Sequence, residues 1–317
     1  MSNLVVMTAS DYSDGSVEQR SFDSLDTQLK IVGCKTEEEI ISAAQGAIGI
    51  LITYTPIGKA AFDALDDLRI IVRCGIGVDN IDLSSAKEHG IKVCNVPDYC
   101  LDEVADHAFA LLLALERRLL VQNQDIRQGV WKGISRVKEI RGLQNSVLGI
   151  VGFGQIGRKL ALRAKPFGMK LVAYDPYVTQ ADADKYDVTL LPLPELLHVS
   201  DFVSLHPPLT AENKHFINSV TLTKMKSSAY LINTSRGPLV DRVALLDALR
   251  EGRIAGAGLD VVEDDLAGTL ELSKLDNVIN TPHTAWYSQN SFNLLRQKSA
   301  EEIARFLRGE PLLHPLV

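Results

Sequence analysis

The stretch GIVGFGQIG, residues 149–157, constrains this chain more than any other. An apolar run, SVLGIV (146–151), leads straight into Gly152, Gly154 and Gly157, spaced G-x-G-x-x-G. Such a triplet alone is a weak signal, and its setting decides what it means. The run before it has the length and branched residues of a strand. The segment after it reads as a helix that stops near Pro166 and Gly168, and KLVAYD (170–175) reads as a second strand ending in Asp175. This is the context of a dinucleotide-binding unit. Gly152 permits the tight turn, Gly154 lets the backbone approach a pyrophosphate, and Gly157 lets the helix pack close to the strand. Gln155 and Ile156 open that helix, whose first N–H groups and partial positive charge suit phosphates. A carboxylate at Asp175 can accept from both ribose hydroxyls and would repel a 2′-phosphate, and Pro176 and Tyr177 bring no compensating positive charge. The expected cofactor is therefore NAD rather than NADP.

The same rhythm runs through the rest of the chain. LVVMTA (4–9), KIVGC (30–34), AIGILITY (47–54), RIIVRCG (69–75) and KVCNV (92–96) read as five strands, with amphipathic segments such as TEEEIISAAQGA between them. A second series begins at 146–151 and 170–175. It continues with DFVSLH (201–206), AYLINTS (229–235), IAGAGLDVV (254–262) and NVINT (277–281). Strands alternating with helices predict an α/β fold of parallel sheets covered on both faces. The rhythm is interrupted at LDEVADHAFALLLALERRLL (101–120), apolar all round in its middle, which predicts one buried helix. His107 sits on it and is read as structural. The chain closes with SFNLLRQKSAEEIARFLRGE, an amphipathic helix stopped by Gly309.

With 317 residues, 46% hydrophobic and 23% charged, the chain is expected to form two globular domains. No apolar run is long enough for a membrane span, and MSNLVVMTASDYSDG lacks the pattern of a signal peptide. Cys34, Cys74, Cys94 and Cys100 form no C-x-x-C pair and read as buried reduced thiols, which implies a cytoplasmic protein. A net charge of -7 without a basic block argues against nucleic acid or an acidic membrane as the main partner.

Parallel sheets bind ligands at the carboxyl ends of their strands. The residues placed there are His206 with Pro207 and Pro208, then Thr234, Ser235 and Arg236, then Asp260, then His283 in TPHTAWYS (281–288). A lone histidine beside a proline is usually structural. Its place after a predicted strand, on the same edge as the glycine loop, makes His283 a candidate proton carrier.

The motifs GIVGFGQIG, NTSRGPLVD, GAGLDVVED and TPHTAWYS, together with RCGIGVDNID (73–82) and NVPDYCLDEVADHA, resemble in that order the D-isomer-specific 2-hydroxyacid dehydrogenases. TPHTAWYS and YDPY resemble the C-terminal-binding-protein-like branch, and the likeness covers essentially the whole chain. It implies two Rossmann-like domains: a flavodoxin-like substrate domain from 1–100 plus 289–317, with an NAD-binding Rossmann domain, 101–288, inserted. It also implies a homodimer through the NAD domains. Arg236 takes the position of the arginine that holds the substrate carboxylate, and His283 that of the proton donor. Arg236, His283 and Trp286 count among the cofactor contacts as well. Arg73 with the backbone of Gly75, Ile76 and Gly77 matches the carboxylate-binding loop, although an ion-pair role for Arg73 stays open. Trp286 is similar to the aromatic wall of the substrate pocket. In the family a glutamate followed by proline supports the histidine. Here Asp265 and Leu266 stand in that register, and Glu263 is the alternative. The activity implied is reduction of a small 2-oxo acid. Phosphoglycerate dehydrogenase and glyoxylate or hydroxypyruvate reductase are the alternatives. A different class remains as well, an NAD(H)-sensing corepressor-like interaction module.

Overall fold

The apolar runs form two parallel sheets in a computed structural model, which describes residues 2–8, 14–131, 140–263 and 265–317. The chain divides into two units, Met1–Tyr99 with Ser288–Val317, and Cys100–Tyr287.

The first unit holds β1 (Asn3–Met7), β2 (Thr27–Ile31), β3 (Ala47–Ile52), β4 (Ile70–Arg73) and β5 (Lys92–Cys94), in the order β2-β1-β3-β4-β5. Every pairing is parallel, so each connection must cross a face of the sheet, and helices do this. All four residues of β4 are buried, as a central strand covered on both faces requires. β2 begins three residues before the apolar run KIVGC. It is an edge strand whose residues are at most half-buried, so its sequence has no need of an apolar run. The Gln289–Leu307 helix packs on the Ser16–Phe22 helix, where buried Arg296 bonds Glu18 through two nitrogens, each at 2.7 Å.

The second unit holds β6 (Val147–Val151), β7 (Lys170–Tyr174), β8 (Thr189–Leu190), β9 (Phe202–Leu205), β10 (Tyr230–Asn233), β11 (Gly256–Leu259) and β12 (Val278–Asn280). Their order is β12-β11-β10-β9-β6-β7-β8, again all parallel. The order reverses at β6, which makes the end of β6 the topological switch point. The Leu101–Glu116 helix covers one face, seating Ala108, Leu111, Leu112 and Leu115 against Leu148, Ile150, Phe202 and Ile232. It packs closely over β11, where a Cβ on Gly258 would lie 3.0 Å from the Cβ of Leu111. The predicted single helix 101–120 is broken: Arg118 turns left-handed at φ 53°, and a second helix, Leu119–Arg127, follows. All four cysteines are buried; burial pushes the Cys74 and Cys94 thiols up to about 11 and about 12, so they stay protonated at neutral pH. No helix among the described residues is long and apolar enough to cross a membrane.

Candidate active site

The glycine loop lies at the switch point after β6. Gly152 adopts φ 88°, and a Cβ there would sit 2.6 Å from the backbone nitrogen of Pro207. Any side chain would push the β9 end away. At Gly157 a Cβ would meet the Gly152 carbonyl oxygen at 2.4 Å, so glycine alone allows the helix to come this close to its strand. Gly154 faces open space, and the Gln155–Ala164 helix that follows has no side-chain cap on its first N–H groups. Those donors are what a pyrophosphate uses. Asp175, after β7, holds the loop: one carboxylate oxygen accepts the Phe153 N–H at 2.8 Å and the other the Tyr177 N–H at 2.9 Å. Neither bond comes from a lysine or arginine, so each oxygen keeps acceptor capacity and the site keeps its negative charge.

The other strand ends carry the remaining candidates. His206 follows β9, its Nε2 2.8 Å from the hydroxyl of buried Ser204. Part of the residue reaches solvent, yet burial of the ring pushes its pKa down to about 4, so it is neutral at pH 7. After β10, buried Asn233 shapes the turn, accepting from Ser235 N–H at 3.0 Å and donating to the Arg236 carbonyl at 2.8 Å. Ser235 ties this turn to the Pro207 carbonyl at 2.5 Å. The Oγ1 of Thr234 is buried without a hydrogen-bond partner, an acceptor and donor waiting for a polar group. Arg236 donates to the Ser235 carbonyl at 2.8 Å. Gly237 lets this turn press on the next one, because a Cβ there would lie 2.3 Å from the Val262 carbonyl carbon.

His283 follows β12 in the left-handed region at φ 55°. For a residue with a side chain this costs about 1–3 kcal/mol and persists only where neighbours impose it. Asp260, after β11, imposes it. Its carbonyl accepts the His283 N–H at 2.9 Å, and its carboxylate accepts the N–H groups of Thr284 and Ala285, each at 2.9 Å. β10 and β12 are separated only by β11, so the Arg236 and His283 turns start about 10 Å apart, two strand spacings. Long side chains on both can therefore converge on one small molecule. Asp265 opens the Asp265–Leu272 helix, and its side chain lies outside the described residues. Glu263 is engaged elsewhere: one carboxylate oxygen lies 2.6 Å from His215 Nε2 and the other 3.4 Å from Lys214 Nζ. Trp286 is half-buried and stacks edge-on with Tyr287 at 5.6 Å. The link from Asp260 to residues 281–285 and the His215–Glu263 pair are absent from the sequence reading. A positive φ at His283 leaves no local signature.

In the first unit, Arg73 ends β4 and folds back over Gly75, where a Cβ would collide with its Nη1 at 1.3 Å. That nitrogen donates to the Cys74 carbonyl at 3.1 Å, and the guanidinium lies 5.9 Å from the centre of the Tyr54 ring. Among the described residues Arg73 makes no ion pair, and its buried Nε has no hydrogen-bond partner. The following loop is held by Asn95, which donates to the Ile76 carbonyl at 2.6 Å, and by the Val96 N–H, which reaches the Gly75 carbonyl at 3.0 Å.

The glycine cradle at the switch point and this row of strand-end polar residues define a dinucleotide-binding α/β fold. Residues 109–285 match the family model described as D-isomer specific 2-hydroxyacid dehydrogenase, NAD binding domain. The chain is 43% identical over 258 residues to a glyoxylate reductase of Korarchaeum cryptofilum, covering 80% of this chain and 78% of that one. It is 36% identical over 285 residues to the D-3-phosphoglycerate dehydrogenase of Methanocaldococcus jannaschii, covering 89% of this chain but 54% of that longer protein. Among solved structures, the D-lactate dehydrogenase of Aquifex aeolicus, complexed with NAD and lactic acid, superposes with a TM-score of 0.89. It has 31% identity, and the match covers 97% of this chain and 96% of that one. The chain belongs to the D-isomer-specific 2-hydroxyacid dehydrogenases, and its cofactor is NAD. The Gly152–Gly157 cradle, the Asp175 carboxylate and the unpartnered Thr234 hydroxyl all fit that cofactor.

Proposed function

We propose that the chain reduces a small, unphosphorylated 2-oxo acid to the D-2-hydroxy acid, and runs the reverse oxidation. The Cys100–Tyr287 unit is read as the NAD domain and the Met1–Tyr99, Ser288–Val317 unit as the substrate domain. Bound NADH supplies the hydride. The Gly152, Gly154, Gln155, Ile156 and Gly157 backbone receives the pyrophosphate, Asp175 the ribose hydroxyls, and the His206–Pro207, Thr234–Arg236 and Asp260 turns the nicotinamide end. Arg236 presents a fork of donors to the substrate carboxylate and polarises the carbonyl. His283 gives its proton to the carbonyl oxygen during reduction and takes the hydroxyl proton during oxidation. With Glu263 held by His215 and Lys214, Asp265 is the acid that supports the imidazolium. Arg73 with Gly75, Ile76 and Gly77 is read as the carboxylate-binding loop of the substrate domain, and Trp286 as an apolar wall.

The observation that carries this reading is the forced left-handed turn of His283, two strands from Arg236. The preference for an unphosphorylated substrate is supported by Lys59, the one cation in ITYTPIGKA (52–60), which opens the Lys59–Ala64 helix and pairs with Asp63 at 2.9 Å. The acidic charge and the lack of a basic block argue against a nucleic-acid or membrane partner, the family resemblance supports a homodimer, and the buried cysteines fit a cytoplasmic setting. The test is NADH oxidation across glyoxylate, pyruvate, hydroxypyruvate, 3-phosphohydroxypyruvate and 4-methylthio-2-oxobutyrate, with His283→Ala alongside. Turnover with an unphosphorylated acid that falls at least about 1000-fold in the variant is expected. Tight NADH binding without turnover on any acid would instead favour an NAD(H)-sensing interaction module.

A further inference from the structure

The Leu101–Glu116 helix lies over β10, β11 and β12 and carries His107 just before its midpoint. The Nε2 of His107 lies 2.9 Å from the hydroxyl of Thr281 and 3.7 Å from a carboxylate oxygen of Asp260. That same carboxylate oxygen is 2.6 Å from the Thr281 hydroxyl. An ionised carboxylate can only accept, so the Thr281 proton points at Asp260 and its lone pair faces His107. His107 must then donate from Nε2. The donor order is fixed along the row, from His107 to Thr281 to Asp260, whether the ring is neutral or charged. Asp260 is 3% exposed, and its other bonds go to the backbone on the far side of His283, at Thr284 and Ala285. The row therefore ends on the turn that sets the direction of His283.

We propose that His107 is a positioning residue for proton transfer. By donating to Thr281 it fixes the Asp260 carboxylate, and that carboxylate clamps residues 281–285 so that His283 faces the substrate carbonyl. The inference rests on His283 being the proton carrier. Its chemistry is modest: His107 touches neither substrate nor cofactor, and only its N–H donor matters. A glutamine at 107 can place an amide N–H at the same reach along its side chain, whereas alanine removes the donor.

The experiment compares His107→Ala, His107→Gln, Thr281→Val, the His107→Ala/Thr281→Val pair and His283→Ala in the full chain. It reads kcat, KM for the 2-oxo acid, NADH affinity from its fluorescence, and the thermal midpoint. A proton donor displaced by a fraction of an ångström should lower kcat about 10- to 100-fold in His107→Ala, with KM and NADH affinity within about threefold of wild type. His107→Gln should recover most of the rate. Thr281→Val, nearly the same shape without the hydroxyl, should reproduce the loss, and the pair should be no slower than either single variant. Wild-type kcat in His107→Ala and Thr281→Val, with His283→Ala inactive, would overturn the positioning role alone. A rate loss that follows the thermal midpoint or NADH affinity and is not recovered by glutamine would also overturn it, leaving His107 a packing residue. An active His283→Ala would remove the proton-carrier reading itself. If His107→Ala fails to fold, Thr281→Val and His107→Gln still decide the question.

Discussion

His206 shows how one buried ring ties stability to pH. Burial pushes it down to about 4 from an ordinary 6.5, so folding favours the neutral imidazole, by about 3 kcal/mol in the limit. The depressed value sets the sign. Above about pH 6.5 the histidine is neutral whether folded or not, and the contribution is fully present. As pH falls below 6.5 the unfolded chain takes up a proton that the folded chain refuses, and stability drains away until about pH 4. The expected outcome is that the thermal midpoint of wild type falls relative to that of His206→Gln as pH drops from 7 to 4. Glutamine can still accept from the Ser204 hydroxyl but does not titrate. A constant difference between the two proteins across that range would show that the ring is not held neutral. The same residue bears on chemistry, because a neutral His206 beside the glycine loop adds no positive charge to compete with the helix N-terminus for phosphate.

Between elements, the clearest energetic feature is the clasp of the Ser16–Phe22 and Gln289–Leu307 helices. Glu18 is 0% exposed and Arg296 7%, and they meet through two short bonds. Removing one partner leaves the other charge buried, so Glu18→Ala is expected to cost about 3–5 kcal/mol in urea unfolding, and Glu18→Met/Arg296→Met to recover most of it. A cost below about 1 kcal/mol for Glu18→Ala would mean that exposed Asp14, 3.2 Å from Arg296, compensates on its own. Neither helix announces this clasp in sequence, since the two residues are separated by nearly the whole chain. The same limit applies to the rest of the fold. Central strands such as β4 and β10 were legible because both faces are buried, and apolar runs follow. The apolar pattern places the edge strand β2 three residues late and misses β8, because Thr27–Ile31 and Thr189–Leu190 are half solvated and need no such run. The break at Arg118 had no glycine to betray it. At the site, strand ends and glycine spacing pointed to Gly152, Asp175, Arg236, Asp260 and His283. The ties that shape them, Thr281 to Asp260, Ser235 to Pro207 and His215 to Glu263, join residues far apart in sequence and show only in three dimensions.

At the scale of the molecule, the Cys100–Tyr287 unit carries an apolar surface that its own core does not use. The Leu119–Arg127 helix buries only Asp125, while Leu119, Leu120 and Ile126 are 53%, 54% and 52% exposed and Trp131, just beyond it, 88%. Leu119 and Ile126 lie two turns apart on one stripe of that helix, and Leu120 flanks it about a quarter-turn away. Soluble chains seldom leave such a patch to water, and burying four large side chains of this kind is worth several kcal/mol per subunit. A second copy of the chain is the natural cover, because a two-fold axis presents the same apolar stripe from both sides and needs no charge complement from an acidic partner. The expected mass in solution is twice the 34.7 kDa of the chain. Leu120→Asp/Ile126→Asp is expected to shift the species to the chain mass in sedimentation equilibrium, with the strand core intact by circular dichroism. The glycine loop, Asp175 and the His283 turn are held by other strand ends and not by this helix, so the monomeric variant should still bind NADH within about tenfold of wild type if the NAD site is complete in one chain. A wild-type monomer, or a variant that stays dimeric, would place the self-association surface elsewhere on the protein.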